Sequence, residues 1–305
     1  MMDQAEKLRQ MIGDIKLRQD ADNQHEVEKE ETKKARVITV TSGKGGVGKT
    51  NVTVNLAVAL SEMGLRVVIL DADFGLANID LIFGVVPKYT IAELISGEKN
   101  VYEVLSDGPN NVKFIAGGSG IESLTELNQA QIDKFIENIS LLDRIFDIIL
   151  IDTGAGISES VMSFVMAADE VILVTTPEPT SMMDAYALIK MVAGRDKNKE
   201  IKIVVNRAEN INEANAISER LTTVSERFLN IKLKTLGYIL FDEAVIKSVK
   251  QQQPFLTYYP RSHAAKMMRE ISRKMTEYNN DNYMEDKNNS GIKGFMSRFV
   301  RFLGK

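Results

Sequence analysis

A chain of 305 residues that is 44% hydrophobic is long enough to bury one large core or two smaller ones. Its formal net charge of −4 gives no general pull toward nucleic acid, and the absence of cysteine excludes disulfides, thiolate metal sites and Cys-held iron–sulfur clusters. No apolar run approaches the ~18 residues of a membrane span, and the start, MMDQAEKLRQ, has no apolar signal region, so a cytoplasmic protein is expected.

Residues 1–18 read as a helix of their own. Asp3 and Glu6 have capping-box spacing, and Ala5, Leu8, Ile12 and Ile15 make a narrow apolar stripe. Residues 19–35 are almost wholly polar, a linker that would hold this helix away from the next domain. A helix so tethered suits a partner's groove, with Gln4 and Arg9 beside the stripe; the alternative is a helix packed back on its own domain.

Residues 36–278 alternate strand and helix patterns. The first strand, Val37 to Val40, runs into Gly43-Lys44-Gly45-Gly46-Val47-Gly48-Lys49-Thr50, which fits the P-loop pattern G-x-x-x-x-G-K-[ST]. An apolar helix follows, carrying Asn51, Val52, Leu56 and Leu60 and ending before Gly64. In this context the backbone amides and helix N-terminus would cradle phosphates, Lys49 would reach the β- and γ-phosphates, and the Thr50 hydroxyl would hold Mg²⁺. Further strands are expected at Arg66–Asp71, Val112–Ala116, Asp147–Asp152, Glu170–Thr175, Lys202–Asn206 and Leu236–Ile239. Helices are expected at Gln129–Ile145, Ser158–Ala168, Thr180–Val192, Glu213–Phe228, Asp242–Gln251 and Ser262–Tyr278, with Thr90 and Glu93 capping another. The fold class is therefore α/β: a P-loop, mostly parallel sheet with helices on both faces and the chemistry at the strand C-terminal edge.

Two strands end in acids at that edge. RVVILDAD delivers Asp71 and Asp73, and DIILID delivers Asp152 into Thr-Gly-Ala-Gly. Beside a P-loop, Asp71 and Asp152 are placed to hold the water shell of Mg²⁺ and Asp73 to orient the attacking water, although single acids there also serve as helix caps. His25 and His263 have no metal-ligand partner at useful spacing and read as solvated.

Residues 279–291 are a second polar linker before a last helix over 292–305. Ile292, Phe295, Met296, Phe299, Val300 and Leu303 share one face, and Lys293, Arg298, Arg301 and Lys305 add positive charge without any acid. Too short to span a bilayer, it suits an anionic membrane surface; the alternative is a last helix packed on the core.

KGGVGKT, with its additional Lys44, resembles the deviant P-loop of the MinD/ParA ATPases, and LDADFGLANIDLIFG and IDTGAGI resemble their two switches. The resemblance covers about Arg36 to Tyr278 and implies an ATPase using ATP/ADP and Mg²⁺ that dimerises on ATP, with Lys44 reaching across the dimer to the partner's nucleotide. It also implies that Asp71 and Asp152 serve the magnesium side, that Asp73 is hydrolytic, that Asn78 belongs to the first switch, and that the stretch VTTPEPTSMMDAYALIK at Val174–Lys190, with Asn206 and Arg207, surrounds the adenine. Gly154 stands where many relatives have Pro. Both ends, including DQAEKLR at Asp3–Arg9, resemble the FlhG subfamily, regulators of flagellar number and placement. That likeness implies that Asp3, Gln4, Ala5, Leu8 and Arg9 act on the signal-recognition-particle-type GTPase FlhF, that the last helix binds the membrane's inner face in the ATP state, and that flagellar C-ring components are further partners. Two other readings remain: a ParA-like positioning ATPase acting on chromosome, plasmid or division site, and an interaction scaffold that binds nucleotide without turnover.

Overall fold

The computed structural model describes residues 34–73, 78–118, 127–277 and 291–303. The chain divides into two units, Met1–Lys33 and Lys34–Lys305. The expectations for Asp3, Gln4, Ala5, Leu8 and Arg9, for the two polar linkers over most of their length, and for residues 74–77 of the first switch lie outside the described residues.

Period-two alternation within apolar strands builds the second unit. In β1 (Arg36–Thr41) Val37 enters one core while Ile38 and Val40 enter the other; in the strand Ile148–Thr153, Ile149 and Ile151 face the first core and Ile148 and Leu150 the second. A strand buried on both faces reads as a continuous apolar run. In chain order the elements are β1, α1 (Lys49–Glu62), β2 (Val67–Ala72), α2 (Ile79–Phe83), α3 (Ile91–Ser96), α4 (Val101–Val104), β3 (Ser106–Asp107) and β4 (Lys113–Ile115). Then come α5 (Gln129–Ser140), α6 (Leu142–Ile145), β5 (Ile148–Thr153), α7 (Glu159–Ala167), β6 (Glu170–Thr175), α8 (Pro179–Arg195), β7 (Glu200–Ala208), α9 (Ile211–Leu229) and β8 (Leu233–Leu240). The last are α10 (Glu243–Lys250), α11 (Phe255–Tyr258), α12 (His263–Glu277) and α13 (Gly291–Phe302).

The sheet order is β3-β4-β2-β5-β1-β6-β7-β8, antiparallel only at β3–β4. β1 therefore sits between β5 and β6; the connection from β1 runs to β2 on one side while that from β5 crosses to β6 on the other, which opens a crevice at the C-terminal end of β1. One buried ionic cluster, Arg36 with Glu170 and Lys202, joins the starts of β1, β6 and β7.

Every expected strand is present, Glu170–Thr175 with the expected bounds and the others with bounds moved by one to three residues. The expected helix Gln129–Ile145 is instead two helices broken at Leu141, and α2, α4, α11 and β3 were not foreseen. These pieces are shorter than the window over which a hydrophobic period can be read. The larger difference is α13. Its apolar face does not face outward: Ile292, Phe295, Met296 and Phe299 are buried in the core formed with α5, α7 and β1, Val300 is buried beside them, and Leu303 packs against that core. Phe164 of α7 stacks on Phe299 with centroids 4.2 Å apart. Asp143 accepts the Ile292 N–H at 2.9 Å, and Arg298 donates to the Ala167 carbonyl at 2.8 Å and to Asp169 at 2.6 Å. The expectation of a helix held off the domain thus gives way, in this conformation, to its alternative. A groove of matching apolar shape exists, and burying such side chains contributes roughly 1.5–3 kcal/mol each.

Candidate nucleotide site

The P-loop lies between β1 and α1, and close packing and backbone geometry each require one of its glycines. A Cβ on Gly43 would stand 2.3 Å from the Asp184 backbone of α8, so this turn touches a helix too closely for any side chain. Gly48, at φ +90, supplies the left-handed residue that turns the loop into α1, and no side chain caps that helix. The first-turn amides around Lys49, Thr50 and Asn51 are therefore left for a ligand, at the positive end of the helix dipole.

Lys49 and Asp152 meet below the loop. The Lys49 ammonium is 3.0 Å from Asp152 Oδ1, with the two side chains 8% and 1% exposed. The Thr53 hydroxyl reaches the same oxygen at 2.8 Å, while Asp152 Oδ2 is buried with no hydrogen-bond partner. Asp71 is the register neighbour of Asp152 across β2 and β5. Burial, and then the Asp152 charge, push its carboxyl up to about 7, against backbone N–H bonds from Asp73, Ile79 and Asn78. Asp71 thereby also holds the backbone on both sides of the first switch. Asp73 is half-buried, its carboxylate 3.7 Å from where a Cβ on Gly154 would stand, so the expected hydrolytic acid and the second switch adjoin. That switch is tied to the P-loop by the Gly156 N–H, which donates to the Ser42 carbonyl at 2.8 Å.

Two expected residues are engaged elsewhere. Lys44 turns to its own chain, 3.0 Å from Glu178 and 2.9 Å from the Thr180 hydroxyl at the start of α8. Asn206 donates through Nδ2 to the Val47 carbonyl at 2.8 Å and accepts from the Arg207 N–H at 3.0 Å, bracing the P-loop against the end of β7. Arg207 is exposed and held at φ +59. Sequence reasoning missed Thr53 and the pairing of Lys44 with Glu178 and Thr180. The signal for Thr53 was available: at i+4 from Lys49 it shares that residue's helix face.

The donor set fits a nucleotide with magnesium. Among the described residues no group of three or more His, Cys, Asp or Glu side chains could hold a metal. Mg²⁺ needs less than that, because it keeps waters and takes one or two carboxylates beside substrate phosphates. Thr50, Asp71 and the unpartnered oxygen of Asp152 meet that requirement.

This arrangement defines a P-loop nucleoside triphosphatase. A family model described as "ParA: NUBPL iron-transfer P-loop NTPase" matches residues 33–276. The chain is 42% identical over 80% of its length to Antiactivator FleN of Pseudomonas aeruginosa, covering 87% of that protein. It is 34% identical over 88% of its length to the flagellum site-determining protein YlxH of Helicobacter pylori, covering 91% of it. The septum site-determining protein MinD of Pyrococcus horikoshii, solved with Mg-ADP, superposes with a TM-score of 0.65 at 26% identity, over 80% of this chain and 97% of that one. The chain belongs to the MinD/ParA family and is an ATPase. The iron transfer in the family description does not extend to a Cys-held cluster here, since the chain has no cysteine.

The raised Asp71 carboxyl makes a sign-definite prediction for the metal-free protein. Folded Asp71 keeps its proton to about pH 7, whereas an unfolded Asp releases it near ~4. Between these values the native state binds more protons, so this group's contribution to stability falls as pH rises. The melting temperature of the wild type relative to Asp71→Asn should therefore drop between pH 5.5 and 8. A difference independent of pH would show that Asp71 is ionised throughout.

Proposed function

We propose that this ATPase is an ATP-dependent dimerising switch that acts at the membrane surface to set flagellar placement and number, and that its N-terminal segment stimulates a signal-recognition-particle-type GTPase, FlhF. The observation that carries the reading is α13. A helix with membrane-surface chemistry is stored on α7, the helix that begins where the second switch ends. A change of nucleotide at Asp152 would reach α7 through residues 154–158, and α7 carries the Phe164 on which Phe299 stacks. The name of the Helicobacter relative, a flagellum site-determining protein, supports the flagellar assignment.

Chemistry in the site rests on positioning and charge. Lys49 and the first-turn amides bind phosphate, Asp73 orients water, and Lys44 leaves Glu178 to act in the partner's site. Bound Mg²⁺ would supply charge neutralisation on the phosphates. Asp73→Ala should bind ATP and remain trapped as a dimer, and Lys44→Ala should stay monomeric, as read by size exclusion with ATP. A wild type that is monomeric with ATP would sink the switch.

Membrane binding requires α13 to leave its groove. Basic residues contribute on the order of 1 kcal/mol each near an anionic surface, so two tails on one dimer bind where one does not. Asp143 caps the docked helix and has no place in a lipid contact, and losing such a cap costs about 0.5–2 kcal/mol. Asp143→Ala should bind anionic vesicles without ATP more than the wild type does, whereas Phe299→Glu should fail to bind even with ATP. Vesicle binding of both variants at the wild-type level would remove the tail from the mechanism.

For the N-terminal segment, a peptide of residues 1–20 should raise FlhF GTP hydrolysis on its own. Leu8→Asp should lose binding, and Gln4→Ala should lose stimulation more than binding, since a glutamine can orient attacking water. A peptide without effect, with stimulation intact after its deletion, would refute this part.

A further inference from the structure

Thr53 lies one turn beyond Lys49 on α1 and is fully buried among apolar neighbours. Its hydroxyl has two acceptors in reach, Asp152 Oδ1 at 2.8 Å and the Lys49 carbonyl at 3.1 Å. A hydroxyl donates one proton, and the ionised carboxylate is both nearer and the stronger acceptor. Lys49 Nζ is the other donor to that same oxygen, which leaves Oδ2 without a partner. The Lys49 ammonium is also the group that phosphates would claim. Once they do, Asp152 loses one of these two donors, and the hydroxyl of Thr53 is the one that stays.

We propose that Thr53 is a positioning residue that keeps the Asp152 carboxylate oriented toward the metal side of the site after Lys49 has turned to the phosphates. The inference rests on the reading of Asp152 as a holder of Mg²⁺-bound water. Thr53 touches neither nucleotide nor metal in this role; it acts through Asp152. The competing account is structural: a buried threonine bonding back to its own helix, as the 3.1 Å contact to the Lys49 carbonyl would allow.

The two accounts separate in the affinity of the full chain for a fluorescent ADP, measured with Mg²⁺ and with EDTA. Thr53→Val keeps the shape and removes the hydroxyl. It should lower the Mg²⁺-dependent gain in affinity about tenfold, as loss of an outer-shell partner does, and leave affinity in EDTA unchanged. Thr53→Ser should restore the gain. A Val variant with the wild-type gain, or one weakened equally in both conditions, overturns the proposal. If Val is not accommodated, Ser against Ala makes the same comparison, since they differ by the hydroxyl alone. Asp152→Asn distinguishes the two levels. A gain undiminished in Asp152→Asn removes the metal reading itself, whereas a gain lost there but intact in Thr53→Val removes Thr53 alone.

Discussion

The ion pair of Lys49 with Asp152 is the contact on which the rest of the molecule turns. A buried ammonium and carboxylate are costly to desolvate, and removing either leaves the other uncompensated. Here a second carboxylate, Asp71, stands beside Asp152 on the neighbouring strand and is pushed up to about 7. Without ligand the site therefore balances its own charges: Lys49 neutralises one acid and a proton meets the other. Phosphates and a divalent cation would exchange both partners at once, drawing Lys49 away and bringing positive charge to the acids. The resting pairing is the one that a nucleotide with its cation would replace.

Asp152 is also the last acid before the loop that leads into α7, so a rearrangement at the acid would be felt there first. Gly156 fastens the loop to Ser42 through one backbone hydrogen bond, and Ser158 caps α7 immediately after. α7 is buried along most of its length and shares its apolar surface with α13. Side chains packed at this density do not deform continuously, so a shift of α7 either carries α13 along or breaks the stack of Phe164 on Phe299. The polar ends of the docked helix point the same way. Arg298 donates to the Ala167 carbonyl at the end of α7 and to Asp169 just beyond it, so this charge is engaged by the neighbour that also stacks on Phe299.

Much of this was legible in the amino-acid order. The P-loop declares itself because strand, glycines, Lys49 and helix must follow in sequence, and Asp71 and Asp152 declare themselves because each ends an apolar strand. What was not legible depends on residues distant in the chain. Ile292, Phe295 and Phe299 have the same spacing whether a membrane or a groove receives them; the groove is made by residues from α5, α7 and β1, which periodicity cannot assemble. The resemblance expects Asn206 at the adenine, yet its amide is used on the Val47 carbonyl, a contact visible only once β7 lies beside the loop. Thr53 read as one more position on an apolar helix, and its hydroxyl acquires meaning only from an acid on another strand.

The same reasoning bears on the proposed release of α13 to a membrane surface. An interior groove and a lipid interface both reward an apolar face, so the sequence of α13 need not change for the helix to move between them. The choice is decided by small terms at its edges. In the groove these are the Asp143 cap, the Arg298–Asp169 pair and a Gly291 whose missing Cβ would stand 2.7 Å from Asp143. At an anionic surface they would be the basic residues of the same helix, turned toward headgroups. Lys293 and Arg301 are exposed even in the docked form, so the charge that would draw the helix outward is already on the surface while its apolar face is still held inside.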